Sequence, residues 1–184
     1  MIKIYKNFFD SDCLKVIEEL IAKSKDSIKL KSSYFDWQST IIQESTPIMI
    51  YDMYKMVDTD ILRNRLEEVI DIKDYEVVHF MIYYWPVGSY IPWHNDSHVD
   101  MTATVYCNRY WNIDWGGLFL YKENDKILAE VPEWNKLVVQ MDKDWHSTTS
   151  ITKPYYSPVA GADGKFTPIP MIRTTLQIFM KKEE

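Results

Sequence analysis

Cysteine, basic charge and long apolar runs are what this chain has least of. Cys13 and Cys107 are the only two thiols in 184 residues, far apart and outside any CxxC. That pair builds no thiolate metal cage, and two free thiols in a reducing compartment are expected. Lys and Arg number 21 against 27 Asp and Glu, for a net charge of −6 and a pI near 5.3. A nucleic-acid surface carries a basic stripe, so no nucleic-acid partner is expected. No apolar run reaches the roughly 18 residues that a membrane helix needs. The opening MIKIYKNFF shows no apolar core followed by a small-residue cleavage site. Neither a signal peptide nor a membrane partner is therefore expected, and the expected location is cytoplasmic. Internal repeats and low-complexity tracts are also missing.

What is present is aromatic and apolar. Residues of the apolar class make up 46% and aromatics 15%, enough to bury a large core. The length suits one domain over 1–184, with a helical support region at 1–74 and a β-rich core at 75–184. Ile2–Tyr5 alternates as a short strand. Asp10 or Ser11 then caps a helix carrying Leu14, Ile17, Leu20 and Ile21 on one face. Tyr34–Ile42 reads as extended. Ser45-Thr46-Pro47 reads as a second helix start, with helical character to about Ile70 and a break near Val57–Thr59. Beyond residue 75, short β-branched and aromatic runs alternate with turn clusters, the texture of a β-sandwich or barrel. The stretch from Ile151 to Pro170 is a long loop, either a lid over a site or a surface excursion.

Histidine is scarce, with four in the chain, yet IPWHNDS places His94 two residues before Asp96. On a strand, residues i and i+2 share a face, so an extended Trp93–Ser97 projects both together and turns Asn95 away. An imidazole and a carboxylate there fill two corners of a metal's coordination sphere. A second histidine completes a 2-His-1-carboxylate facial triad, the pattern of non-haem Fe(II) oxygenases. His79 lies mid-strand and reads as a core or helix-facing histidine. His98 is too far along an extended segment to share an ion with His94. His146, opening a later extended stretch, is the better third ligand.

The surroundings strengthen this reading. YYWPVGSYIPWHND, followed by ATVYCN, RYWNIDWGGLFLY, Asp144-Trp145-His146 and RTTLQIFM, resembles the ordered motifs of the prolyl 4-hydroxylase-like branch of the 2-oxoglutarate- and Fe(II)-dependent dioxygenases. FFDSDCLKVIEEL resembles that family's opening strand and helix. The resemblance covers nearly the whole chain. It implies a mainly β fold with N-terminal helices: a double-stranded β-helix, jelly roll or cupin-like, with helices packed on the major sheet. It implies that His94, Asp96 and His146 hold Fe(II). The implied co-substrates are 2-oxoglutarate and O2, with ascorbate as a stimulant. The distal carboxylate of 2-oxoglutarate would pair with the Arg173 fork, helped by Thr175. Tyr84 and Tyr106 match co-substrate tyrosines. Trp85 competes with Tyr84 for that position, and Lys153 or Lys165 with Arg173. In the last strand, Arg173, Thr175 and Gln177 fall on one face, and Leu176, Ile178 and Met180 on the other.

The implied reaction is hydroxylation of a C–H bond, with a prolyl or other residue of a peptide or protein as the leading substrate. Tyr34, Trp37, Tyr90, Trp93, Trp111 and Trp115 are candidates for an aromatic cleft. A free amino acid or small metabolite is the alternative substrate. A catalytically silent, cupin-like metal-binding module is the alternative class. Oligomeric state is not readable from the residues.

Overall fold

A computed structural model describes residues 2–27, 33–38, 43–52, 60–141, 144–152 and 172–183, with only the backbone described for 25–27, 33–38 and 43–52. In chain order the elements are β1 (Ile2–Tyr5), α1 (Ser11–Ser27), β2 (Ser33–Gln38), β3 (Gln43–Asp52), α2 (Asp60–Glu67), β4 (Tyr75–Trp85), β5 (Ile91–His94) and β6 (Met101–Tyr106). A 3-10 turn at Ile113–Trp115 precedes β7 (Phe119–Glu123), β8 (Lys126–Glu130), β9 (Leu137–Met141), β10 (His146–Thr148) and β11 (Arg173–Lys182).

The strands form two antiparallel sheets. The larger has seven strands in the order β1-β9-β6-β11-β4-β3-β2, and the smaller has four in the order β5-β10-β7-β8. This is the expected mainly β jelly roll. The larger sheet owes its two-sidedness to alternation. On one face, Phe80, Ile82, Met101, Ala103, Val105, Leu176, Ile178 and Met180 join Ile17 and Leu20 of α1 and Leu62 and Leu66 of α2 in one apolar cluster. On the other face Tyr106 and Val138 meet Phe119 and Tyr121 of the smaller sheet.

Local signals explain the first helix. The Asp10 carboxylate accepts the Cys13 N–H at 2.9 Å, which caps α1 and holds the Asp10 carboxyl below its ordinary range. Cys13, Ile17 and Leu20 then repeat at helical spacing and face the sheet. Cys13 and Cys107 are both free thiols.

One expectation is overturned. Ser45-Thr46-Pro47 starts no helix; it lies inside β3, and among the described residues of that stretch the helix is Asp60–Glu67. The expected break at Val57–Thr59 lies outside the described residues. Proline at a helix start and proline in a half-paired strand share one physical reason, a missing N–H that nothing needs. β3 uses Gln43–Ile48 to pair with β2 and Met49–Asp52 to pair with β4, so Pro47 has a ladder partner on one side only, Tyr34 of β2. The 151–170 loop falls outside the described residues after Thr152.

Candidate metal centre and adjoining cavity

β5 and β10 are neighbours in the smaller sheet, and their register sets His146 opposite His94. Pairing two short strands therefore brings together imidazoles more than fifty positions apart in sequence. β5 is an edge strand, which is why Pro92 is tolerated within it. The extended run ends sooner than the sequence suggests: β5 stops at His94, and Val99 N–H donates to the Asp96 carbonyl across a turn. Asp96 still reaches both rings. Its two carboxylate oxygens lie 3.5 Å from His94 Nε2 and 3.8 Å from His146 Nε2. Ligand atoms of His94, Asp96 and His146 all fall within 4.8 Å of one another.

Both rings are oriented by their other nitrogen. His94 Nδ1 is 2.8 Å from the Pro92 carbonyl, and His146 Nδ1 is 2.9 Å from the Asp144 carbonyl. A carbonyl only accepts, so each Nδ1 carries the proton and each Nε2 turns a lone pair toward Asp96. Burial, with His94 alongside, pushes His146 down to about 4, which keeps the ring neutral. Burial acts upward on the Asp96 carboxyl, but the adjacent His94 and His146 side chains outweigh it and hold it below its ordinary value.

A cavity of about 120 Å³ opens beside the three ligands, between the two sheets. Arg173 lies in its wall and is 2% exposed. Its Cζ is 5.1 Å from the Tyr106 ring centroid and 5.9 Å from the Trp85 ring. Arg173 Nε and Nη1 and the Tyr106 hydroxyl are buried with no hydrogen-bond partner among the described residues. Burial pushes the guanidinium down from its ordinary value and the Tyr106 phenol up. A cation buried this way is costly unless an anion joins it. Backbone shape makes the space: Gly117 sits at φ +65°, and a Cβ there would come within 3.1 Å of Arg173 Cδ.

The remaining candidates separate. Thr175 shares the Arg173 face, is fully buried, and accepts the Trp85 indole N–H at 3.2 Å. Tyr84 does not reach the cavity: it belongs to the helix-side cluster, and its hydroxyl meets Ser24 of α1. A residue on a strand faces one side only, and in β4 it is Tyr83 and Trp85 that line the cavity. His79 is exposed rather than buried, with its ring 6.2 Å from Phe179. His98 is exposed and lines the cavity, 6.0 Å from the same ring. Tyr90, Trp93, Trp111 and Trp115 do not line it; the Trp93 ring faces Lys122, and the Trp111 indole donates to Gly116. Tyr34, Trp37, Lys153 and Lys165 lie outside the described side chains. Sequence reasoning missed Phe119, Phe179, Thr102 and Gln140 in the cavity wall. The signal for the last two was a polar residue inside a strand otherwise buried, MTATVY and LVVQM.

No family model and no curated protein matches the sequence. Solved structures do share its fold. A Trichoplax adhaerens prolyl hydroxylase, in complex with a hypoxia inducible factor oxygen degradation domain peptide fragment, superposes with a TM-score of 0.69 at 14% identity, covering 98% of this chain and 83% of that one. A Pseudomonas putida prolyl-4-hydroxylase gives 0.62 at 14% identity, covering 100% and 93%. HygX from Streptomyces hygroscopicus, with nickel and 2-oxoglutarate bound, gives 0.65 at 7% identity, covering 98% and 82%.

Proposed function

We propose that the chain is a non-haem Fe(II)- and 2-oxoglutarate-dependent dioxygenase that hydroxylates a C–H bond, foremost in a prolyl or other residue of a peptide. One observation carries this reading: a His-Asp-His cluster and a buried guanidinium with two unmatched nitrogens line the same cavity. Two imidazole nitrogens with lone pairs turned inward and one carboxylate are the donor set that suits Fe(II) with open positions. The orphaned Arg173 nitrogens and the Tyr106 hydroxyl suit the far carboxylate of a dicarboxylic oxo acid. Bound Fe(II) and 2-oxoglutarate supply the oxidation, in which O2 splits the oxo acid to succinate and CO2 and one oxygen atom enters a substrate C–H bond.

The chain's own part is positioning. His94, Asp96 and His146 would hold the metal on one side only. Arg173, with Tyr106 and Thr175 beside it, would fix the oxo acid by its distal end. Trp85, Phe119 and Ile91 line the walls and keep that end dry, which strengthens every charge contact made there. The similarity to a prolyl hydroxylase in complex with a peptide fragment supports a peptide substrate over a free amino acid.

The test is anaerobic addition of 2-oxoglutarate to Fe(II)-loaded protein. A weak visible charge-transfer band, followed by succinate on admitting air, is expected. Metal binding with neither band nor succinate would instead identify a silent metal-binding module.

A further inference from the structure

The cavity has two unlike ends. Arg173 marks one. Six residues further along β11 stands Phe179, roughly 20 Å away at about 3.3 Å per residue. Register carries that row across the larger sheet: Phe179 lies opposite Thr102 of β6, and Thr102 lies opposite Gln140 of β9. All three line the cavity. Gln140 also lines a small adjoining cleft together with Asp96 and His146, so it borders the ligand cluster directly.

Gln140 is 7% exposed, and its side chain is half satisfied. Thr102 Oγ1 donates to Gln140 Oε1 at 2.7 Å, while Gln140 Nε2 is buried with no hydrogen-bond partner among the described residues. An unpaired buried amide donor is a standing cost that an apolar residue at this position would remove. The strands around it are apolar on their other face, so nothing in the packing asks for an amide here. The donor is also neutral. Among the described residues lining the cavity, Arg173 is the one lysine or arginine, and it sits at the other end. A substrate's free carboxylate would find no lysine or arginine at this end among the described residues. A substrate bringing an amide carbonyl would meet a matching donor.

We propose that Gln140, tethered by Thr102, is a substrate-orienting residue whose amide N–H binds a neutral carbonyl oxygen of a peptide-like substrate at the end of the cavity opposite Arg173. This rests on the dioxygenase reading and narrows its substrate to compounds with a carbonyl that is not ionised. Phe179 and the His98 ring beside it supply the apolar wall for the group next to that carbonyl.

The test uses the full chain with Fe(II) and 2-oxoglutarate under nitrogen. The probes are N-acetyl, N-methylamide-capped proline, lysine and asparagine, and the same three as free amino acids. Paramagnetic broadening of probe NMR signals reads approach to the metal. At least one capped probe is expected to broaden where its free counterpart does not. Gln140→Met should weaken that binding about tenfold or more while leaving 2-oxoglutarate affinity unchanged. Gln140→Glu, which keeps the shape and the acceptor but loses the donor, should weaken it as well. A second measurement needs no ligand: the double variant Thr102→Val/Gln140→Met removes both polar partners and should melt at or above the parent protein. Equal broadening with and without the Gln140 amide overturns the proposal. So does binding of free amino acids alone, broadening of none of the six probes, or a markedly lowered melt for the double variant. Loss of the charge-transfer band in the parent protein instead defeats the dioxygenase reading itself.

Discussion

The two faces of the larger sheet are built from the same strands and obey opposite rules. On the helix face, β4, β6, β9 and β11 contribute Phe80, Ile82, Val105, Val139, Leu176 and Ile178, buried to within a few per cent and purely apolar. On the cavity face β6, β9 and β11 contribute Tyr106, Gln140 and Arg173, also buried, with polar atoms left unmatched among the described residues. Burial alone therefore does not distinguish core from site here. Unmet hydrogen-bonding capacity does. One face gains stability from burial, and the other gives some up by leaving buried donors unmet.

Substitutions on each face test that division. The largest effect is expected at the ligands. Asp96→Asn and His146→Ala should lower succinate formation to background and abolish tight metal binding, with a melt close to that of the metal-free parent. A cooperative loss of fold in either variant would assign these residues to packing. Next, on the opposite face, Leu176→Ala should cost about 2–5 kcal/mol in urea unfolding. Its metal and 2-oxoglutarate affinities should be unchanged while it is folded. Arg173→Met comes third: 2-oxoglutarate affinity should fall by about a hundredfold, near 2.7 kcal/mol, by calorimetry. Stability without ligand should hold or rise, because a buried unpaired cation is gone. A destabilised Arg173→Met with intact 2-oxoglutarate binding would reverse the assignment of that face. The smallest effect belongs to Tyr84→Phe, which loses the hydroxyl that meets Ser24 and the Ile21 carbonyl of α1 and should cost about 1 kcal/mol of stability, with no change in 2-oxoglutarate affinity.

Tyr84 also shows where the sequence stops being legible. In FMIYYW the apolar residues are continuous, so no polar marker within that run reveals which of Tyr83, Tyr84 and Trp85 face inward. A slip of one residue exchanges the faces. β11 is legible for the opposite reason: Arg173, Thr175 and Gln177 mark one side, and Leu176, Ile178 and Met180 fill the other. The ligands were readable because HND is compact and histidines are few, and ring pairing across β5 and β10 follows once both segments are strands. β3 was misread because Ser-Thr-Pro before an apolar run serves a helix start and a half-paired strand equally. Gln140 and Thr102 were visible as polar residues inside buried strands, but their meaning depends on an unmatched nitrogen that only three dimensions reveal.

Facing histidines on adjacent strands also tie the architecture together mechanically. β5 has four residues and β10 three, with a bulge between them, too little ladder to lock their alignment by backbone bonds alone. An ion gripped by both strands and by the turn after β5 would act as a rivet through the smaller sheet. Sliding either strand by a single step would point one imidazole outward and release the ion, so holding the cofactor and holding the alignment become one event.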